Sequence, residues 1–151
     1  MGLQPIGRRV AAACAVVISG TAMTLLLPGA AAADHTDPPC GPAADACINL
    51  SENLSWLMSD GDVTFGPVPV SHGKPGYETP PGVFQMSFKN RDHHSSIYDA
   101  PMPYSVFFNG DIAFHEGSVD QQSHGCVRLP HDAARTYFYD LEPGDVVEVV
   151  P

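Results

Sequence analysis

The segment from His115 to Arg128 holds the residues best suited to covalent chemistry. Cys126 lies near its end, and a thiol at its ordinary pKa is only slightly ionised at neutral pH, so it needs a base to become a nucleophile. Two histidines are close enough in sequence to supply that base: His124 lies two residues before Cys126, and His115 lies eleven residues before it. The spacing indicates a cysteine nucleophile with an imidazole base.

The residues around Cys126 add two further capabilities. Gly125 permits close backbone approach and an unusual φ, so that successive N–H groups can point at one oxyanion. Arg128 supplies a fixed positive charge that can lower the thiol pKa or bind a substrate carboxylate. Ser123 and His124 complete the group that we assign to the oxyanion hole and the substrate contacts. Together these residues predict acyl transfer through a thioester.

Two simpler interpretations compete with this one. A single cysteine in an apolar domain is most often a small buried residue, but the flanking Ser-His-Gly-Cys-Val-Arg sequence favours the nucleophile. Seven histidines invite a metal site, yet no pair has the H-x3-H or C-x2-C spacing typical of zinc. Adjacent His93 and His94 point apart on an extended chain, and we expect them in an exposed loop. We therefore predict neither a metal nor another cofactor.

The N-terminal region has the order of a secretory signal peptide. Arg8 and Arg9 precede an apolar stretch over residues 10–27, and a run of alanines leads to Asp34. We predict that residues 1–33 are a signal peptide removed on export, by either the Sec or the Tat route. An uncleaved anchor is the alternative, because the apolar stretch is just long enough to cross a bilayer. The chain is expected in the cell wall or extracellular space, with the signal peptide as its only membrane contact.

Charge, length and cysteine use limit the partners and the organisation of the exported part. Residues 34–151 carry five basic and seventeen acidic side chains, a formal charge of −12, which repels phosphate backbones and excludes nucleic acid as a partner. The length suits one domain, expected to be a monomer, with residues 34–45 as a flexible N-terminal segment. Cys40 and Cys47 lie seven apart and predict a disulfide loop in an oxidising compartment.

Hairpin signals and alternation indicate the elements that must position the reactive residues. Asp-Gly at 60–61 and Asn-Gly at 109–110 supply the positive φ of tight hairpins. His115 directly follows the second hairpin, so a sheet is expected to position it. Fifteen Pro and fourteen Gly interrupt the chain too often for long helices. The predicted strands are 54–58, 63–70, 83–88, 105–108, 111–114 and 146–150.

Three local expectations complete the predicted fold. Residues 83–88 alternate strictly and place Met86 and Phe88 on one face of a strand. Residues 71–82 are too rich in Pro and Gly for a strand and are expected to form an exposed loop. Only residues 131–141 have helical spacing. The prediction is a mostly β fold, a β-sandwich or barrel with one short helix.

The sequence resembles the L,D-transpeptidase catalytic domain, the YkuD family. The resemblance rests on His-Glu-Gly at 115–117 followed by Ser-His-Gly-Cys-Val-Arg-Leu at 123–129. Residues 70–74 and 79–84 are similar to the strand and loop ahead of the family's active site. The resemblance spans roughly Ala46 to Val150 and implies that residues 46–151 are the catalytic domain, with the family's β-sandwich fold.

The resemblance also implies roles for individual residues. It makes Cys126 the nucleophile and His115 its base, with the backbone carbonyl of Glu116 orienting the imidazole ring. Residues 124–126 would form the oxyanion region, with Arg128 beside the site. The implied substrate is a peptidoglycan stem peptide: the cysteine attacks the bond between L-diaminopimelate and D-alanine, and the thioester passes to an amine, forming a 3-3 cross-link, or to water.

The chain departs from the family pattern in two ways, and two rival functions remain. The interval from His115 to Cys126 is shorter than many members show, and Glu116 stands where Ser or Gly is frequent. Sortase also uses His, Cys and Arg in this order, but its histidine lies far upstream of its cysteine. The rival outside enzymes is a non-catalytic cell-wall-binding module of the same fold. Intact His115, Gly125 and Cys126 argue against it, because a degenerate copy is expected to lose one of them.

Overall fold

Residues 37–151, which the computed structural model describes, form nine strands and one helix in two sheets. The predicted signal peptide lies outside the described residues. The mostly β fold with one short helix confirms the predicted fold class. The elements in chain order are β1 (Ala46–Asn49), β2 (Leu54–Ser59), β3 (Asp62–Pro69), β4 (Gly82–Gln85), β5 (Phe88–Ser95), β6 (Ala100–Asn109), β7 (Ile112–Glu116), β8 (Val127–Leu129), α1 (His131–Asp140) and β9 (Val146–Val150).

The first sheet has five strands in the order β3-β2-β1-β9-β4. Its strands are antiparallel except for β1 and β9, which pair in parallel. Sequence reasoning missed β1, a central strand in which all four residues are buried. Both of its faces are covered, so it lacks the alternation that marks a half-exposed strand.

The second sheet has four strands in the order β5-β6-β7-β8. Strands β7 and β8 pair in parallel, which places His115 opposite Arg128 and Glu116 opposite Leu129. Sequence reasoning missed β8, which is only three residues long. This pairing brings the end of the second predicted hairpin beside the segment that follows Cys126.

The predicted strand over residues 83–88 is wrong, because the chain changes sheets within it. Strand β4 ends at Gln85 and belongs to the first sheet, whereas β5 begins at Phe88 and belongs to the second. Met86 is buried, but Phe88 is half-exposed and stacks on the Phe107 ring with centroids 4.3 Å apart. Alternation over six residues cannot reveal a change of partner strand, since both halves remain extended.

His93 and His94 lie in strand β5, not in the exposed loop that we predicted. Strand β5 is the edge of the second sheet, and most of its residues face solvent. An edge strand tolerates charged and polar side chains, which hid it from a search for apolar alternation.

The helix α1 packs into the core between the two sheets. Ala134 and Tyr137 are buried on its inner face, and the Tyr137 hydroxyl donates a hydrogen bond to Ser55 Oγ at 2.8 Å. At the C-terminal end of the helix, the Lys89 ammonium donates to the carbonyl oxygens of Phe138 and Leu141. These contacts tie the helix to both sheets. In the part of the chain that the structure describes, no helix has the length and hydropathy needed to cross a membrane.

The described part of the N-terminal segment packs against the first sheet. Cys40 and Cys47 form a disulfide, and the Gly41 N–H donates to the Glu148 carboxylate at 2.9 Å. Beneath this segment the side chain of Trp56 is fully buried. The disulfide therefore lies on the first sheet. In contrast, His115 lies in β7 of the second sheet, and Cys126 directly precedes β8 of that sheet.

Candidate active site

The turn that carries Cys126 is held from inside by Ser123. The Ser123 side chain is 2% exposed, and its Oγ accepts a hydrogen bond from the Gly125 N–H at 3.0 Å and donates one to the Cys126 carbonyl oxygen. The Ser123 N–H donates in turn to the His72 carbonyl oxygen at 2.9 Å. A single buried hydroxyl thus fixes the backbone on both sides of the thiol.

Gly125 has a structural task in this turn. Its φ is +118°, a region that side chains rarely adopt. Its N–H is engaged by Ser123, so an oxyanion donor from this turn would come from the N–H groups of His124 and Cys126. The predicted oxyanion region covers residues 124–126, and the Gly125 N–H is the backbone donor of that region that is already used within the turn.

Thr79 is a buried site residue that sequence reasoning missed. Its side chain is 1% exposed, and its Oγ1 accepts from the Gly73 N–H at 3.0 Å and donates to the Gly125 carbonyl oxygen at 2.6 Å. Thr79 lies in a segment that carries the family resemblance, but it is 46 residues from Gly125. Nothing in its local sequence points to that contact.

The segment 71–82 is only in part the exposed loop that we predicted. Ser71 pairs with Arg128 through two backbone hydrogen bonds, and Gly73 is buried. A Cβ at position 73 would lie 1.9 Å from the Tyr77 carbonyl oxygen, so only glycine fits there. Polar groups within the segment are satisfied by the Cys126 turn, and this explains how a Pro- and Gly-rich segment can be buried.

The thiol of Cys126 is free and lies beside the hairpin turn between β6 and β7. Its Sγ donates to the Asp111 carbonyl oxygen at 3.6 Å. Burial raises the pKa of the Cys126 thiol, and the Ala113 N–H and the Arg128 charge oppose that shift. The site therefore holds a protonated thiol at neutral pH and needs a base to ionise it.

His115 is the second-to-last residue of strand β7, so the sheet positions its side chain. Its Nδ1 is 2.7 Å from the Glu116 carbonyl oxygen; a carbonyl can only accept, so Nδ1 carries the proton and Nε2 has the free lone pair. The residue is 7% exposed, and burial lowers the pKa of the imidazole. The ring is thus neutral at neutral pH and can accept a proton at Nε2.

Two cavities meet at Cys126. The first, of about 320 Å³, is lined by Cys126 together with His115 and Arg128. The second, of about 390 Å³, reaches Cys126 from the side of Phe107 and strand β5. Cys126 therefore lines both cavities. The thiol, the imidazole and the guanidinium that we selected from the sequence share the first cavity.

His124 lies between the two cavities in an aromatic cluster. Tyr98 stacks on the His124 ring with centroids 4.4 Å apart, and Tyr77 meets it edge-on at 4.8 Å. Tyr98 belongs to the turn between β5 and β6, and its exposed fraction is 50%. The His124 ring is held by these aromatic contacts, whereas the His115 ring is held by a backbone carbonyl.

The positively charged side chain of Arg128 lines the first cavity. Its Nη1 donates to the Gln121 carbonyl oxygen at 3.0 Å, and its side chain passes over Gly117, where a Cβ would lie 2.9 Å from Arg128 Cδ. The group that accepts this hydrogen bond from Arg128 is an uncharged carbonyl. The guanidinium therefore retains the capacity to bind an anionic group.

The side chain of Glu116 makes a contact that sequence reasoning missed. Its Oε2 is 2.9 Å from Nδ1 of His131, the first residue of α1. The two residues are fifteen apart in sequence, and only the tertiary fold brings them together. Among the described residues, no group of three or more His, Cys, Asp or Glu side chains converges on a point where a metal could bind.

Comparison with known proteins gives one family. Residues 43–149 match the YkuD family, the L,D-transpeptidase catalytic domain. No curated protein sequence matches the chain.

Solved structures are similar over most of the described chain. An L,D-transpeptidase from Stackebrandtia nassauensis is 28% identical with a TM-score of 0.69, over 81% of this chain and 62% of that one. L,D-transpeptidase 1 from Mycobacterium tuberculosis is 27% identical with a TM-score of 0.61, over 74% and 63%. An LD transpeptidase in complex with imipenem is 29% identical with a TM-score of 0.65, over 73% and 60%. The matched region thus spans about three fifths of each of these chains.

Proposed function

Because the chain belongs to the YkuD family of L,D-transpeptidase catalytic domains, we propose that it is an exported cysteine acyltransferase acting on peptidoglycan stem peptides. It cleaves the bond between L-diaminopimelate and D-alanine through a thioester on Cys126. The observation that carries the proposal is the placement of a free thiol in one cavity with an imidazole whose Nδ1 is held and whose Nε2 is available.

Acylation begins with transfer of the thiol proton. The Cys126 proton passes to Nε2 of His115 as the sulfur attacks the carbonyl carbon, and the charge of the tetrahedral intermediate falls on its oxygen. The N–H groups of His124 and Cys126 are the donors that remain for that oxygen. When the carbon–nitrogen bond breaks, the proton on His115 passes to the amine of the departing D-alanine.

Deacylation reverses the roles of the same groups. The amine of a second stem, or water, loses a proton to Nε2 of His115 as it attacks the thioester, and Cys126 recovers the proton when it leaves. Attack by an amine gives a 3-3 cross-link, and attack by water gives a shortened stem. The two cavities that Cys126 lines support a reaction with two substrates.

The pKa shifts support proton transfer during attack. Burial raises the pKa of Cys126 and lowers that of His115, so both shifts favour the neutral pair over a resting thiolate–imidazolium pair. Arg128 is the side chain that would bind a stem carboxylate from within the first cavity.

The place of action follows from the substrate. Peptidoglycan lies outside the cytoplasmic membrane, so we propose export by residues 1–33 to the cell wall or extracellular space, with residues 46–151 acting as a monomeric catalytic domain. The disulfide between Cys40 and Cys47 supports an oxidising compartment.

The test compares the full chain with its Cys126→Ala variant. We expect D-alanine release from a tetrapeptide stem, and a mass increase of one acyl group, in the wild-type chain alone. Imipenem serves as a second probe, since a similar protein has been solved in complex with it. Turnover by a correctly folded Cys126→Ala variant would exclude the cysteine mechanism. Stem binding without D-alanine release by the wild type would favour the non-catalytic wall-binding module.

A further inference from the structure

Glu116 makes two contacts that join His115 to the start of the helix. Its backbone carbonyl oxygen accepts the His115 Nδ1 proton at 2.7 Å, and its carboxylate accepts a hydrogen bond from His131 Nδ1 at 2.9 Å. We propose that His131 is a positioning residue for the base, acting on His115 through Glu116. This inference rests on the proposed function, in which His115 is the base.

The contact lies at the last paired residue of strand β7. Strand β7 ends at Glu116, and its pairing with β8 ends at Leu129. The Gly117 N–H makes one more hydrogen bond, to the Leu129 carbonyl oxygen at 3.0 Å. The carbonyl that orients the base therefore belongs to the last residue of the strand. The Gly117 N–H of the same peptide group is held by Leu129, and a side-chain anchor on Glu116 adds a second restraint.

His131 is a suitable anchor because it is held on its other side. It is the first residue of α1 and follows β8 by two residues. The Tyr104 ring meets the His131 ring edge-on, with centroids 5.7 Å apart, and the Arg91 guanidinium lies 5.9 Å from the Tyr104 ring centre. Tyr104 of strand β6 thus restricts the ring that holds Glu116, and Arg91 of strand β5 contacts Tyr104 in turn.

The Glu116 carboxylate also acts on the charge of the base. Burial, Arg128 and His93 all lower the pKa of His115, and the Glu116 carbonyl and carboxylate oppose them. When His115 accepts the thiol proton, a carboxylate held nearby stabilises the imidazolium. Removing the Glu116 charge should therefore lower the pKa of His115 further.

The anchor should act on rate and not on folding. The His131 and Glu116 side chains are 58% and 34% exposed, and side-chain contacts this exposed contribute little to the free energy of unfolding. Loss of a group that orients a metal-bound histidine typically costs roughly 10- to 100-fold in activity, and we expect the lower end of that range for His131. If His131 had a purely structural role, its substitution would lower the free energy of unfolding and leave the rate unchanged.

The experiment measures D-alanine release by the full chain and four variants. We expect His131→Leu to lower kcat roughly tenfold with KM unchanged. His131→Asn should recover most of that loss, because the asparagine amide nitrogen lies where the ring Nδ1 was. Tyr139→Leu, a similarly exposed ring on the same helix, is the control and should match the wild type. Glu116→Gln should move the acid limb of the kcat/KM profile to lower pH.

A second readout does not depend on turnover. Nitrogen-15 NMR of the His115 ring should show a lower pKa in Glu116→Gln and a less protected Nδ1 proton in His131→Leu. Wild-type kcat in His131→Leu, or a loss that His131→Asn does not recover, would overturn the positioning role. If the wild-type chain releases no D-alanine, the proposed function fails, and the His115 spectra alone then decide whether His131 acts on that ring.

Discussion

The Cys126 side and the His115 side of the site are held by different kinds of contact. On the Cys126 side, the buried hydroxyls of Ser123 and Thr79 bond to the backbone of the turn. On the His115 side, one carbonyl orients the ring, and the next contact outward is the solvent-exposed pair of Glu116 and His131.

This difference has consequences for how each side can change. Leaving a buried polar group without its partner costs about 1 to 3 kcal/mol, whereas an exposed ion pair contributes about 0 to 1 kcal/mol. The geometry of the Cys126 turn is therefore coupled to the stability of the fold. The proposed anchor on the His115 side can be changed at the surface with little effect on folding.

The largest expected effect separates the two histidines that the sequence offered as bases. His115→Ala should lower acylation of Cys126 by a factor on the order of 10³ or more at neutral pH. Because burial raises the pKa of the thiol, the thiolate forms unaided only at alkaline pH, and raising the pH should restore part of the rate. Stopped-flow acylation across pH measures this.

The comparison variant is His124→Ala. The His124 ring packs between Tyr77 and Tyr98, so its loss should disturb the turn and not the proton transfer. We expect a lower acylation rate that alkaline pH does not restore. Alkaline recovery in His124→Ala, with none in His115→Ala, would reverse the assignment of the base.

An intermediate effect is expected from the buried hydroxyl on the nucleophile side. Thr79→Val keeps the shape but leaves the Gly73 N–H and the Gly125 carbonyl oxygen without their partner. The free energy of unfolding should fall by about 1 to 3 kcal/mol for each group left unpaired, and acylation should slow, since displacement of a reacting group by about 1 Å can cost roughly 100-fold in rate. Urea denaturation and stem turnover measure the two quantities.

Thr136→Val is the matched control for this substitution. Thr136 donates to the Asp132 carbonyl oxygen on the exposed side of α1, so water can replace the lost contact. Its unfolding free energy and acylation rate should stay close to the wild type. Equal losses in the two variants would show that the buried position of Thr79 has no special role.

The same contrast explains what could be predicted from sequence. The hairpin before His115 is encoded locally by Asn-Gly and by the flanking alternation, and the structure confirms this predicted hairpin. Strand β1 is buried on both faces, and the change of sheet after Gln85 depends on which strand is adjacent. Neither leaves a local signal.

The site follows the same rule. Cys126 and His115 are recognisable from residue type and spacing. The contacts that hold them, from Thr79 to Gly125 and from His131 to Glu116, span 46 and 15 residues. Such contacts exist only after the strands have paired. Sequence can therefore identify the reacting groups more readily than the residues that orient them.

The smallest effect on acylation is expected from the disulfide, which lies outside both sides of the site. Cys40→Ser with Cys47→Ser opens a short loop on the first sheet, which should lower the free energy of unfolding by about 2 to 3 kcal/mol. The second sheet carries Cys126 and His115, so kcat should remain within a factor of about two.

Thiol titration of the wild-type chain, after loss of residues 1–33, checks that the disulfide forms. One thiol, that of Cys126, should react before reduction and three after it, because Cys40 and Cys47 are paired. A bond from Cys126 to either of the other two would make it a structural cysteine. A large fall in kcat in the double variant would mean that the first sheet helps to hold the site, and the contrast between its two sides would then have to include the N-terminal segment.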